Sequence, residues 1–235
     1  MKARIYDLAG ADAAVRFSPY CWRVKLAAAH KEIEAEFLPW RFIEKSRLDA
    51  EGPNAGTAPF MVWKGRGYDN SDAIADAFET MAPEAPPLFG GEAGKALSRF
   101  YKHWTEQSVH PLILPAIILD IEAALDEDNR AYFRKSREAR LGAPLEEIAA
   151  RAPACLAQLP GILAPLRARV KEAPFIGGPS PLYADYIVYS AFQWAHCISD
   201  RVQLDPASPE GAWFARIGAL YDGLGQNAPV FRRPS

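Results

Sequence analysis

A stretch rich in proline and glycine, residues 83–94 (PEAPPLFGGEAG), divides the chain into two parts with different sequence patterns. Before this stretch, short apolar strand patterns alternate with helical patterns, and beyond it nearly every pattern repeats at helical spacing. This arrangement predicts an α/β domain over residues 1–82, a linker over 83–94 and an all-helical domain over 95–235. The 235-residue length is sufficient for two such domains.

Charge and cysteine content exclude several classes of function. The net charge of −2, with no long run of one sign, argues against a nucleic-acid partner. No apolar run approaches the roughly 20 residues of a membrane span, and no export-signal pattern is expected. The three cysteines, Cys21, Cys155 and Cys197, have neither a disulfide framework nor zinc-ligand spacing. The composition therefore predicts a cytoplasmic protein without a metal site.

The α/β part is predicted to follow the order βαβ and then ββα. The strands ARIYDL and AEFLPW flank a helix that begins at Pro19, where a missing N–H group costs nothing. Arg23 and Lys25 are expected to face outward on this helix. PFMVWK, GRG and YDN read as a hairpin, and the helix SDAIADAFETMA follows, with Ser71 expected as its N-cap.

The helical part contains one strongly apolar segment and several interrupted ones. YADYIVYSAFQWAHCI is apolar nearly all round, which is typical of a buried central helix. Pro111 and Pro115 are expected to bend or break the helix after KALSRFYKHWTEQSVH. Arg134, Arg137 and Glu138 are interpreted as a charge cluster at the surface or between the domains.

The stretch Ser18-Pro19-Tyr20-Cys21 stands at the start of the first helix. With a cysteine at position 18 it would be a dithiol redox motif, because a helix N-terminus stabilises a thiolate. A serine hydroxyl is a poor nucleophile without a neighbouring base, but it can donate a hydrogen bond to a thiolate that belongs to a bound ligand. The alternative, at this stage equally open, is that Ser18 is only a helix N-cap.

Two further motifs are individually weak. Pro59 in TAPF opens a strand, and a cis bond after Ala58 would turn the preceding backbone toward a site, although a trans bond is the commoner case. Asn70 and Ser71 open a helix, where free N–H groups and a hydroxyl can bind a small carboxylate. The alternative is that Ser71 is only an ordinary N-cap.

The ordered combination of these three motifs resembles the glutathione transferases. The resemblance covers nearly the whole chain and implies a thioredoxin-like domain with a mixed four-stranded sheet, followed by an all-helical domain. Three stretches, SPYCWRVKLAAAHK, YFRKSREARLGAPLEEI and LYDGLGQ, are most similar to bacterial glutathione-dependent β-aryl-etherases and their fungal etherase-like relatives. The resemblance implies glutathione as co-substrate, a role in detoxification and a homodimer.

The family also implies roles for individual residues. Ser18 would support the glutathione thiolate, and Cys21, in the position of a resolving cysteine, would lack a partner for a loop disulfide. Ala58 and Pro59 match the residue and cis-proline that pair with the cysteinyl backbone of glutathione.

Asn70 and Ser71 match the pair, an acid or amide followed by a serine, that holds the γ-glutamyl group, and Asn70 in place of an acid is a departure that is expected to weaken binding of the α-ammonium group. Lys45 is a candidate for the glycine carboxylate, with a solvated lysine as the alternative. One departure concerns the buried helix, where Leu182 stands at the usual Ser or Thr position three residues before Asp185, so its cap must be built differently.

The co-substrate is expected in a cleft between the domains. Candidate cleft residues, each of which has core packing as its alternative, are Tyr20, Trp104, His110, Leu114 and Trp194. The expected reaction is attack of the glutathione thiolate on an apolar or aromatic electrophile, including β-aryl ether cleavage. The alternatives are a non-catalytic binding protein for apolar ligands or protein partners, and a glutathione-dependent reductase, against which the serine at position 18 counts.

Overall fold

The computed structural model describes residues 2–233. Its first part contains a mixed four-stranded sheet in the order β2-β1-β3-β4, with β1 and β2 parallel and the other pairs antiparallel. The strands are β1 (Ala3–Leu8), β2 (Ala35–Trp40), β3 (Phe60–Trp63) and β4 (Arg66–Asp69). In β1, consecutive residues are buried, which indicates that both faces of the sheet are covered. The predicted mixed sheet is confirmed.

Three helices accompany the sheet: α1 (Pro19–His30), α2 (Lys45–Asp49) and α3 (Asn70–Met81). Helix α1 connects the two parallel strands, as the βαβ pattern predicted. The expectation that Arg23 and Lys25 face outward is wrong. Arg23 is fully buried because it pairs with Glu106 of the helical part, and Lys25, on another face of α1, forms a 2.7 Å ion pair with the buried Asp7 of β1.

The second part is all helical, as predicted. Its helices are α4 (Glu92–Trp104), α5 (His110–Ala123), α6 (Glu127–Leu141), α7 (Leu145–Ala150), α8 (Ala152–Ile162), α9 (Ala164–Glu172), α10 (Tyr183–Ile198), α11 (Pro209–Gly218) and α12 (Leu220–Gly223). Among residues 2–233, no helix combines the length and the apolar character that crossing a bilayer would need.

The prolines after α4 do not break the chain's helical path. A π-helical turn, Thr105–Val109, joins α4 directly to α5, and the N–H group of His110 donates to the carbonyl of Thr105. Pro111 lies in the first turn of α5, where its missing N–H group is tolerated, and Pro115 lies inside the helix. Of the two predicted outcomes, a bend or a break, the break does not occur, because the wider π-helical turn keeps α4 and α5 continuous.

Helix α10 is the buried centre of the second part, and it also holds the two parts together. It lies against α1, and the hydroxyl of Tyr186 is 2.7 Å from Nδ1 of His30. The hydroxyl of Tyr183 donates to the backbone carbonyl of Ser71 over 2.9 Å, which ties α10 to the start of α3. The beginnings of α1 and α3 are therefore fixed relative to the helical part.

Candidate functional site

Ser18 is the N-cap of α1 and also lines a cavity. Its hydroxyl oxygen accepts a hydrogen bond from the backbone N–H of Cys21 over 3.3 Å, and Pro19 occupies the first helical position. The side chain is 4% exposed and faces the space between the two parts of the chain. Because the cap uses the oxygen as an acceptor, the hydroxyl proton can still be donated to an atom in the cavity. Ser18 can therefore cap α1 and donate a hydrogen bond to a ligand at the same time.

Cys21 is a buried free thiol. Burial raises the pKa of Cys21 strongly, and the negative charge of Asp7 acts in the same direction. The thiol therefore stays protonated near neutral pH, which makes it a poor nucleophile. With a serine at position 18, it also has no partner in the loop.

The Ala58–Pro59 bond is cis, and both residues line the cavity immediately before β3. The start of α3 lies on the same wall, where Asn70 and Ser71 both border the cavity. The structure thus brings three separate motifs, at Ser18, Pro59 and Ser71, to one end of the sheet.

The expectation that Ser71 caps α3 is wrong. Asn70 has a positive φ of 61°, and its side-chain oxygen accepts the N–H groups of Asp72 and Ala73, each over 3.1 Å. Asparagine tolerates this left-handed conformation better than most residues, and its short side chain then reaches the first helical turn. The amide nitrogen of Asn70 and the hydroxyl of Ser71 are thereby left for a ligand.

The cavity has a volume of about 820 Å³ and lies between the α/β part and helices α5 to α8 and α10. The sequence-predicted residues that line it are Ser18, Tyr20, Ala58, Pro59, Asn70, Ser71, His110, Leu114 and Trp194. Both the motif residues of the first part and most of the expected cleft residues of the second part therefore meet in one space.

Two predicted site residues lie outside the cavity wall. The Trp104 ring is in edge contact with the Tyr101 ring, with centroids 5.8 Å apart, and does not reach the cavity. Glu106, His110 and Leu114 follow each other at helical spacing and line the cavity. Trp104 lies two positions before Glu106 and therefore points to another side of the helix. Lys45 is exposed, and its Nζ atom lies 5.4 Å from the centre of the Tyr132 ring at the cavity's edge.

His110 is held in a ring cluster at the inner end of the cavity. Its ring makes edge contacts with Tyr20 and Trp194, at centroid distances of 5.9 and 5.5 Å. Nε2 is buried and has no hydrogen-bond partner among the described residues. Burial lowers the pKa of His110 to about 3, and the charge of Arg23 acts in the same direction. The imidazole is therefore neutral at physiological pH.

A partly buried ion pair that the sequence did not predict lies beside this ring cluster. Nη1 of Arg23 donates to Oε1 of Glu106 over 2.9 Å, and the guanidinium carbon lies 4.6 Å from the centre of the Tyr20 ring. Burial and the charge of Glu106 raise the pKa of Tyr20. The Tyr20 phenol thus stays protonated at neutral pH and can act as a hydrogen-bond donor.

The far wall contains three arginines, Arg137, Arg140 and Arg151, of which the sequence analysis named only Arg137, as part of a charge cluster. Arg134 and Glu138 form the surface charge cluster that was expected, together with Glu122 and Glu146, but Arg137 faces the cavity instead. Helical spacing alone does not separate Arg137 from this cluster, since Arg134 and Arg137 are three residues apart and therefore neighbours on the helix surface. Which face borders the cavity depends on tertiary packing.

Comparison with known proteins assigns both parts of the chain to one family. The model of the glutathione S-transferase N-terminal domain matches residues 13–86, and that of the glutathione S-transferase C-terminal domain matches residues 96–205. Together these two ranges span most of the chain.

One curated relative is a glutathione S-transferase-like protein of Aspergillus flavus. It is 29% identical over 130 residues, which is 47% of this chain and 44% of that protein. The chain thus matches less than half of that relative's length.

Two solved structures have the same fold. A glutathione transferase of Phanerochaete chrysosporium has a TM-score of 0.77 at 21% identity, with 95% of this chain and 92% of the other covered. A glutathione S-transferase of Ceriporiopsis subvermispora, solved in complex with glutathione, has a TM-score of 0.78 at 18% identity, with coverage of 97% and 99%. At these identities the likeness concerns the fold.

Proposed function

Because the chain belongs to the glutathione S-transferase superfamily, we propose that it is a glutathione transferase in which Ser18 stabilises the thiolate of bound glutathione. The observation that carries this proposal is the position of the Ser18 hydroxyl, at the N-terminus of α1 and on the cavity wall. A relative of the same fold, from Ceriporiopsis subvermispora, was solved with glutathione bound, which supports glutathione as the co-substrate.

Glutathione would lie along the α/β wall of the cavity. The hydroxyl of Ser71 and the amide nitrogen of Asn70 can donate to the γ-glutamyl carboxylate at the start of α3. The backbone of Ala58, before Pro59, would pair with the cysteinyl residue of glutathione. Lys45 is exposed near the edge of the cavity and would attract the glycine carboxylate from there.

The sulfur of glutathione would lie next to Ser18. Its thiol proton leaves to solvent, and the thiolate accepts a hydrogen bond from the Ser18 hydroxyl while the positive end of α1 lowers its energy. The sulfur then attacks an electrophilic carbon, a carbon–sulfur bond forms, and the leaving group departs with its electron pair. Because this nucleophile belongs to the co-substrate, the buried and protonated Cys21 is not needed.

The second substrate would occupy the wall formed by Tyr20, His110, Leu114 and Trp194. Three of these side chains are aromatic rings, and Leu114 is aliphatic, so an apolar or aromatic electrophile fits best. A β-aryl ether is one member of this class, since its cleavage is a displacement with a phenolate as leaving group. The protonated Tyr20 phenol can donate a hydrogen bond on this side of the cavity.

The proposal is tested by glutathione binding and turnover together. Calorimetric titration should show that Ser71→Ala weakens glutathione binding by about 1–3 kcal/mol, the cost of losing a buried hydrogen bond to a charged group. Ser180→Ala is the matched control, because Ser180 is exposed and lies outside the cavity wall. The wild type should also accelerate glutathione conjugation to halogenated nitroaromatic compounds.

Two results would contradict the proposal. Equal glutathione affinity in the wild type and Ser71→Ala would remove the start of α3 from the binding site. Tight glutathione binding without acceleration of any substrate in a panel of haloaromatics and aryl ethers would favour a non-catalytic binding protein.

A further inference from the structure

Three guanidinium groups without acidic partners line one side of the cavity. Arg137 and Arg140 lie one turn apart on α6, and Arg151 lies between α7 and α8. On α6, Arg134 forms ion pairs with Glu122, Glu138 and Glu146. In the described part of the chain, residues 2–233, Arg137, Arg140 and Arg151 form no ion pair with a carboxylate. The one acidic residue on the described cavity wall, Glu106, is already bound by Arg23. The wall therefore has a surplus of positive charge.

Arg137 is fixed in place by its surroundings. Its guanidinium carbon lies 5.1 Å from the centre of the Phe42 ring and 4.9 Å from that of Phe133, and Nη1 donates to the Ser136 hydroxyl over 3.0 Å. Burial lowers the pKa of Arg137 to about 10, and the nearby charge of Arg140 acts in the same direction. Two adjacent cations without a counter-charge repel each other, so an anion between them would be stabilised.

The arginine side of the cavity also faces the start of α1. Arg140 and Tyr20 line the same cavity, and the charge of Arg140 lowers the pKa of Tyr20, although burial and Glu106 raise it more. Leu114, Leu141 and Ile148 provide apolar surface in the same cavity. The space thus offers a cationic end, an apolar middle and the Ser18 hydroxyl.

We propose that the preferred electrophile of this transferase is an aromatic compound that carries a carboxylate, with the carboxylate bound by Arg137, Arg140 and Arg151. This inference rests on the proposed function and specifies its substrate class. The forked guanidinium geometry matches a planar carboxylate. A singly charged carboxylate also loses less hydration on entering a partly apolar cavity than a phosphate dianion would.

Binding of the carboxylate would fix the ring so that its reactive carbon approaches the glutathione sulfur. With a chlorinated nitrobenzoate, sulfur bonds to the carbon that bears chlorine, chloride leaves with the bonding electron pair, and the carboxylate is unchanged. The arginines thus act as positioning residues for this reaction and do not touch the reacting carbon.

The test compares 4-chloro-3-nitrobenzoate with its methyl ester, each rate being divided by the uncatalysed rate with glutathione. The wild type should favour the carboxylate by at least about tenfold in kcat/KM, the factor that corresponds to one hydrogen bond between charged groups. The double variant Arg140→Gln/Arg151→Gln should remove most of this preference by raising KM for the carboxylate alone. Lys135→Gln is the matched control, since Lys135 is exposed on α6 outside the cavity wall.

Binding is measured separately, with 3-nitrobenzoate and its methyl ester as unreactive probes and glutathione at saturation. If neither chlorinated compound is turned over, the proposed transferase activity is contradicted. The binding measurement still tests whether the arginines bind the carboxylate. The inference is overturned if the ester binds or reacts as well as the carboxylate, or if the double variant keeps the preference. It is also overturned if the double variant weakens glutathione binding itself, because the arginines would then belong to the glutathione site.

Discussion

Ser18 shows how one residue can fill a structural and a chemical role at the same time. Its oxygen caps α1 by accepting the N–H group of Cys21, and its proton remains available on the cavity side. The sequence was sufficient to single out Ser18, Pro59 and Ser71 as candidates, because helix starts and strand starts have local signatures and the order of the three resembles one family. It was not sufficient to find Arg23 or Glu106, whose pairing depends on how α1 packs against the helical part.

His110 should make the stability of the protein depend on pH. Burial lowers its pKa in the folded state to about 3 from the ordinary 6.5, so between these values the unfolded chain binds a proton that the folded chain does not. The contribution of neutral His110 to the free energy of unfolding is therefore fully present above pH 6.5 and decreases as the pH falls below that value. At pH 5 the loss is roughly 2 kcal/mol, at about 1.4 kcal/mol per pH unit.

The variant His110→Phe, which keeps a ring against Tyr20 and Trp194, tests this prediction. Urea unfolding at pH 8 and pH 5 should show a smaller loss of free energy in the variant than in the wild type. His103→Phe is the control, because His103 is exposed. An equal loss in His110→Phe and the wild type would show that His110 does not contribute.

At the scale of elements, sequence patterns predicted the order βαβ and then ββα and the helical second part, while the mixed four-stranded sheet was implied by the family resemblance. The π-helical turn Thr105–Val109 was not predicted, since Pro111 suggested a break and not a wider turn. The cationic face of α6 was also missed. A helix pattern shows which side chains share a face, but whether that face meets solvent, core or a cavity is decided by the neighbouring helices.

At the start of the buried helix α10, where a serine or threonine cap is usual, Asp185 forms a network of hydrogen bonds. Its carboxylate accepts the backbone N–H groups of Ile176, Gly177 and Leu182 and the indole N–H of Trp213, over 2.7–3.1 Å. Burial raises the pKa of Asp185, while these four donors oppose the shift.

We expect Asp185→Ala to lower the free energy of unfolding by roughly 3 kcal/mol or more, because buried donors lose a charged acceptor. Chemical denaturation measures this change. Asp200→Ala, at an exposed position just after α10, is the control and should change stability by less than about 0.5 kcal/mol. A similarly small effect of Asp185→Ala would mean that other contacts hold the start of α10.

At the scale of the whole molecule, the candidate site exists only because the two parts of the chain meet. One wall comes from the sheet and the starts of α1 and α3, and the other from the helices. Contacts such as the hydrogen bond from Tyr183 to the Ser71 carbonyl hold α10 of the helical part against the start of α3. Such long-range contacts leave no local signature in the sequence, so the way in which the two walls meet could not be predicted from it.

We also predict that the chain forms a homodimer, from its family and from the apolar residues of the β3–β4 hairpin. The exposed Phe100 on α4, with 64% of its surface accessible, is a further candidate contact. Light scattering at micromolar concentration should give twice the chain mass of 25.9 kDa. Phe100→Asp should shift the protein toward the monomer, and Ile43→Asp, exposed away from α4, should not.

A monomer mass for the wild type at micromolar concentration would contradict the dimer. The cavity described above is built from residues of one chain, so its chemistry would be unaffected by that result.

The central claim, that the Ser18 hydroxyl stabilises the glutathione thiolate, is tested most directly by the ultraviolet absorbance of bound thiolate against pH. At a pH where the bound thiol is protonated, glutathione should bind with nearly equal affinity to the wild type and Ser18→Ala, but the pKa of the bound thiol should be about one unit higher in the variant, equivalent to about 1.4 kcal/mol. Coincident titration curves would contradict the claim. They would mean that Ser18 is only the cap of α1, and that backbone N–H groups or Tyr20 hold the thiolate.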